Sequence, residues 1–138
     1  MALGLRNLYR QLVPSGTTTT YVNATTGSDS NPGTSSLPFA TITYAASVAS
    51  PGTRIIVAAS GTYGYVNIYG VNGTPSAWIS IESASDTVKP LISVADNSGD
   101  DGVDIQQSSY LGIYGFEIQG LQTSSSTKKR SVEPCTKN

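Results

Sequence analysis

From Arg54 onward, apolar side chains recur at every second position, in segments only three to five residues long. Ile55 and Val57, Val66 and Ile68, Ile79 and Ile81, Val103 and Ile105, and Leu111 and Ile113 each place two bulky side chains on one side of an extended backbone. Gly, Asn, Ser and Asp clusters separate the segments, so each ends in a turn before it can lengthen. A chain with this pattern builds short strands, and two all-β architectures accommodate it. One is an antiparallel sandwich; the other is a solenoid in which each coil stacks on the last. Ile55–Val57 and Ile79–Ile81 are offset by 24 residues, and Ile79–Ile81 and Leu111–Ile113 by 32. Repeat lengths of that order favour the solenoid, but spacing alone leaves both open.

Phe116 and Ile118 continue the series after a phase slip at Tyr114-Gly115, where glycine permits a corner. Pro90-Leu91-Ile92-Ser93-Val94 is ambiguous in phase, with Ile92 and Val94 expected inside. Ahead of Arg54 the period is different. Ser36-Leu37-Pro38 offers a capping hydroxyl followed by a proline suited to a first turn. Phe39, Ile42, Ala46 and Ala49 then form one helical stripe, stopped by Pro51-Gly52. These signals predict a helix over 38–50. Residues 14–20 read as a linker, Tyr21-Val22-Asn23 as a short strand, and Gly27 to Thr34 as an ordered turn. No P-loop lysine follows that Gly-rich turn, so it is not read as a phosphate cradle.

With 138 residues the chain suits one domain. Only 12% of residues are charged, which fits an all-β globular protein better than a disordered one. The charge is unevenly spread. Between Tyr21 and Leu121 eight acids face two bases, Arg54 and Lys89, so the body is near −6. Such a body repels nucleic acid and other polyanions unless a cation intervenes. There is no histidine, which excludes a Ser–His–Asp triad and the commonest metal ligand. The lone Cys135 excludes an intramolecular disulfide. No apolar run approaches a membrane span, and Arg6 and Arg10 interrupt residues 1–13, so no signal peptide is visible.

The ordered series of motifs is similar to the opening of right-handed parallel β-helix proteins of the pectate-lyase-like superfamily. The stretch from Tyr21-Val22-Asn23 through Gly27-Ser28-Asp29-Ser30-Asn31-Pro32-Gly33-Thr34 resembles their first turn. Pro38-Phe39-Ala40-Thr41-Ile42, Ala45-Ala46 and Pro51-Gly52-Thr53 follow. Next come Ile55-Ile56-Val57, Gly61-Thr62-Tyr63, Val66-Asn67-Ile68, Ser80-Ile81 and Lys89-Pro90-Leu91-Ile92. Gly102-Val103-Asp104-Ile105 and Gly115-Phe116-Glu117-Ile118 close the series. The resemblance covers residues 21–120.

The resemblance implies an all-β, right-handed parallel β-helix, a solenoid with an N-terminal helical cap and two to three coils, truncated relative to full members. In that division 1–20 is a flexible N-terminal segment, 21–53 the cap, 54–120 the coils and 121–138 a disordered tail. It also implies a secreted or cell-surface protein whose partner is polysaccharide. Many members cleave uronate polymers by β-elimination, using calcium and a Lys or Arg base. Others are hydrolases, epimerases, tail spikes or adhesins, so a glycan-binding or structural module is the alternative. The final coil would expose an apolar cross-section able to self-associate.

No catalytic, cofactor-binding or metal residue is assigned from the sequence. Asp96, Asp100, Asp101 and Asp104 offer hard oxygen ligands for calcium, but they lack an EF-hand pattern and are read first as a solvated acidic loop. Glu117 is expected to point outward; it would need Asp104 nearby to form a glycosidase pair. Arg54 and Lys89 are the body's only bases, Lys89 on a turn before Pro90. Tyr44, Tyr63, Tyr65, Tyr69, Tyr110, Tyr114 and Trp78 suit either sugar stacking or strand packing. Asn23-Ala24-Thr25 and Asn72-Gly73-Thr74 match the glycosylation pattern, which is frequent by chance.

Overall fold

The computed structural model describes residues 18–94 and 102–120. Within them one helix, α1 (Ile42–Ser47), accompanies nine strands. These are β1 (Thr19–Val22), β2 (Arg54–Val57), β3 (Thr62–Tyr63), β4 (Val66–Tyr69), β5 (Ile79–Ser83), β6 (Leu91–Val94), β7 (Val103–Gln106), β8 (Leu111–Tyr114) and β9 (Glu117–Gly120). They form three sheets, ordered β1-β2-β5-β8, β3-β6-β9 and β4-β7.

Every strand pairing is parallel. Parallel neighbours cannot be joined by a tight hairpin; the chain must travel a dozen or more residues before returning. Here that journey is itself extended: after β2 the chain contributes β3 and β4 to the other two sheets before β5 lies beside β2. The antiparallel sandwich is thereby excluded. Register departs from the simple reading in one place. Ile55 lies beside Ile81 and Val57 beside Ser83, not beside Ile79 and Ile81, because Thr53 occupies the position next to Ile79. Ile79 and Ile81 do sit beside Leu111 and Ile113.

The core runs between the sheets. Ile55, Val57, Val66, Ile68, Ile79, Ile81 and Ile92 are buried as their alternation requires. Each such side chain removed from water stabilises the fold by about 1.5–3 kcal/mol. Two inward positions near the end of the chain behave differently. Ile68 and Ile92 are 1% exposed, yet their register partners Ile105 and Ile118 are 48% and 58% exposed. Among the described residues, no further layer covers them. β5 departs in the opposite sense: all five of its residues are buried, Ser80 and Glu82 included, where alternation predicts a solvated face.

The helix is shorter than the sequence suggests. Phe39 does not join it. Its N–H donates to the Tyr21 carbonyl and its own carbonyl accepts from Asn23 N–H, so this residue is extended beside Val22. The Pro38 carbonyl is taken by Ser28 N–H and Asn31 Nδ2. The helix therefore starts after Thr41, whose hydroxyl accepts from Tyr44 N–H, while Ser36 lies outside it. Ile42, Ala45 and Ala46 bury its inner face, and Ala49 packs against the core beyond its end. β1 begins at Thr19, inside the supposed linker, and belongs to the same sheet as β2.

Candidate functional site

Strand β4 alternates buried Val66 and Ile68 with outward Asn67 and Tyr69. β7 lies alongside, putting Asp104 next to Asn67 and Gln106 next to Tyr69. The outer face of this sheet is thus a small polar and aromatic array. Asp104 Oδ2 is its hub: it accepts from the Tyr65 hydroxyl at 3.2 Å and from Gln106 Nε2 at 2.7 Å. Helix α1 closes one side, with Thr43 Oγ1 accepting from Asn67 N–H at 3.1 Å. Between helix and sheet lies a cleft of about 230 Å3 lined by Thr43, Ser47, Asn67, Ile68, Tyr69 and Val71. Such a face supplies hydroxyl, amide and carboxylate groups beside exposed Tyr69, the mixture that polyhydroxylated ligands need.

Of the candidate acids, the structure describes Asp104 and Glu117, which lie in different sheets. Asp96, Asp100 and Asp101 lie outside the described residues. Among the described residues no three His, Cys, Asp or Glu side chains gather to hold a metal. Asp104 Oδ2 accepts from two side-chain donors, Tyr65 and Gln106. Glu117 is exposed on β9, in a different sheet from Asp104 on β7. Arg54 is not a free base. Its Nε and Nη2 both donate to Glu82 Oε1, at 2.8 and 2.5 Å. Lys89 is exposed, as expected of a turn.

The aromatic residues divide by role. Tyr63 is core; its hydroxyl donates to the Ala58 carbonyl, and burial pushes the phenol pKa up against a smaller lowering from backbone hydrogen bonding at Ala24. Tyr44 packs edge-on against Phe39 at 5.2 Å. Tyr114 lies over Gly112, where any side chain would strike its ring. Tyr65 and Tyr69 border the β4–β7 face, and Trp78 and Tyr110 form an exposed pair at a corner. Asn72 uses both ends of its amide, accepting from Ser109 Oγ and donating to the Gly70 carbonyl. Asn23 Oδ1 is held by Thr25 and Thr26 N–H. Both glycosylation patterns therefore sit in turns that use the asparagine themselves.

Asp29 is the residue sequence reasoning passed over. Oδ1 accepts from Ala40 and Thr41 N–H at 2.9 and 3.0 Å, and Oδ2 from the Thr41 hydroxyl at 2.8 Å. It ties the Gly-rich turn to the start of the helix that borders the cleft. The available signal was an acid placed in a turn whose other members are small or rigid.

Residues 25–70 match the model of a family described as protein of unknown function, DUF1565. No curated protein matches the chain. Two solved structures of GH136 lacto-N-biosidase from Eubacterium ramulus are similar in fold. The native protein superposes with a TM-score of 0.65 at 18% identity, covering 88% of this chain. The selenomethionine derivative gives 0.64 at 19% identity over 79%. The chain spans 22% of the length of each. The parallel pairings and these neighbours support a parallel β-helix fold. They do not single out the pectate lyases within it.

Proposed function

We propose that this chain is the N-terminal portion of a carbohydrate-active parallel β-helix protein, and that it contributes architecture and glycan binding rather than cleavage. One observation carries the reading. The three sheets repeat in register, with side chains able to bind sugar on the outer face of β4–β7, in a fold similar to a lacto-N-biosidase. The winding is taken as a right-handed solenoid, because parallel crossovers have that hand in about 98% of cases.

β-Elimination of uronate polymers, which the pectate-lyase-like resemblance brings with it, needs a free base beside a neutralised carboxylate. Of the body's two bases, Arg54 is bound to Glu82 and Lys89 is exposed on a turn. The assignment to binding rests on the polar and aromatic outer face of β4–β7. A secreted or cell-surface location follows from a polysaccharide partner. Half-exposed Ile105 and Ile118, with β7, β8 and β9 each last in its sheet, favour association through this end of the fold.

The test uses the purified 138-residue chain. Calorimetric titration with neutral and acidic oligosaccharides is run beside turnover assays on pectate, alginate and chondroitin with calcium. Saturable binding without turnover is expected. Robust turnover would refute the assignment to binding, and failure to bind any glycan would refute the carbohydrate reading.

A further inference from the structure

We propose that the Trp78–Tyr110 corner is a stacking subsite for a neutral hexopyranose; this rests on the carbohydrate reading above and names where and what the chain binds. Trp78 immediately precedes β5 and Tyr110 immediately precedes β8. Ile79 and Leu111 are register partners, so the residues just before them lie one above the other. The two rings stand 5.8 Å apart at 73°, and each residue keeps over a third of its surface exposed, 37% and 41%. Together they make a wall and an adjoining edge open to solvent.

The corner is held firmly. Gly73 N–H donates to the Ser109 carbonyl at 2.9 Å, Ser109 Oγ to Asn72 Oδ1 at 2.8 Å, and Ile79 N–H to the Tyr110 carbonyl at 3.0 Å. A side chain at position 73 would stand 2.6 Å from the Tyr110 carbonyl oxygen, so only glycine permits this approach. Tyr110 itself has φ +51°, in the left-handed region. That conformation costs a non-glycine residue roughly 1–2 kcal/mol. An edge-on aromatic contact returns about 0.5–1.5 kcal/mol beyond the area it buries, so packing against Trp78 meets that cost. The ring is thereby fixed in place with 41% of the residue's surface open to solvent, as a stacking position requires.

The chemistry of the ligand follows from the corner and from the charge of the body. A pyranose carries axial C–H bonds on a ring face, which stack on an aromatic surface, and hydroxyls at its rim, which stay in water beside an open corner. Planar nucleobases also stack, but they come with phosphates, and a body near −6 repels them. The same field repels uronates, leaving neutral sugars.

Trp78 is the only tryptophan in the chain, so its fluorescence reports on this corner alone. Galacto- and cello-oligosaccharides are titrated against the intact chain, with polygalacturonate as the acidic probe, following fluorescence and heat together. A saturable change in Trp78 emission with a neutral oligosaccharide, and at least tenfold weaker binding for Tyr110→Gly, are expected. Tyr110→Gly removes the ring while suiting the backbone, and its circular dichroism is compared with the parent's to show that the fold is kept. Trp78→Phe provides a second variant, read by heat alone and expected to weaken binding several-fold. Heat of binding without an emission change, and unaffected by either variant, would overturn the subsite while leaving the carbohydrate reading intact. Preference for polygalacturonate would overturn the assignment to neutral sugars, and absence of binding by both signals would overturn both readings.

Discussion

Arg54 and Glu82 sit on adjacent parallel strands, and two guanidinium nitrogens converge on one carboxylate oxygen, Oε1 of Glu82. The carboxylate side chain is only 4% exposed, so its charge depends on groups within the protein. Breaking a buried ion pair by removing one partner typically costs about 3–5 kcal/mol, because the other charge stays buried. Arg54 keeps part of its surface in water, which puts this pair at the lower end. Arg54→Met is expected to destabilise the fold by about 3 kcal/mol, and the double variant Arg54→Met/Glu82→Gln by distinctly less. Urea midpoints for the single and double variants check this; equal losses would mean the pair is not coupled.

The Asp29 carboxylate joins the Gly-rich turn to the helix start through three hydrogen bonds. Hydrogen bonds to a charged group contribute about 1.5–3 kcal/mol each at most, and they are not additive. Asp29→Ala is expected to cost about 3 kcal/mol, with Asp29→Asn retaining part of the loss, measured by thermal denaturation. An unchanged melting temperature for Asp29→Ala would remove Asp29 as the link between turn and helix.

Gly27 lies against the Phe39 and Asn23 carbonyls, where a Cβ would meet backbone atoms that cannot step aside. Gly27→Ala should disrupt the Asn23–Phe39 pairing and destabilise by at least about 2 kcal/mol, the scale of overpacking. Gly64 has nothing within 4 Å of an added Cβ, so Gly64→Ala serves as the control. Equal unfolding midpoints for the two variants would contradict the crowding.

Ile68 and Ile105 are register partners with opposite exposure. Ile68→Ala is expected to cost about 3 kcal/mol and Ile105→Ala about 1 kcal/mol at low protein concentration. If copies associate through this end, the Ile105→Ala loss grows with concentration and sedimentation velocity shows the parent assembling more than the variant. A loss at Ile105 matching that at Ile68 in dilute monomer would show that the last layer is already covered.

Burial raises the Tyr63 phenol above its ordinary value near 10. The unfolded chain therefore releases this proton at lower pH than the folded one. Its contribution is complete below the unfolded value and is lost as pH rises from there through the folded value. Melting temperature should fall above about pH 10, and less steeply in Tyr63→Phe. That variant also loses the hydrogen bond to the Ala58 carbonyl, so its stability at neutral pH should drop by about 1 kcal/mol. Parallel pH profiles for the two proteins would assign the alkaline loss to other groups.

Much of the strand pattern was legible in order, because alternation is a local property. Ile55, Val57, Val66, Ile68, Ile79, Ile81 and Ile92 are inside as their spacing requires, and Gly115 turns a corner at φ +77°. The helix was legible but overlong. Pro38 and Phe39 carry good helix-start signals, and the extended pairing of Phe39 with Tyr21 and Asn23 outcompetes them. The site was less legible than the fold. Asp104 was read as part of a solvated acidic loop, and nothing local says that Tyr65, 39 residues earlier, would reach its carboxylate.

By itself, then, the sequence determined which residues extend, which face of each strand is apolar, and where turns interrupt them; side-chain shape and backbone propensity act over a few residues. Only the tertiary structure decided which strand lies beside which, and everything that follows from it. Stacking buried Glu82 against Arg54, left Ile105 and Ile118 half uncovered, and brought Trp78 to Tyr110 across 32 residues of chain. Those outcomes depend on register between segments distant in sequence, a collective property that no window along one strand contains.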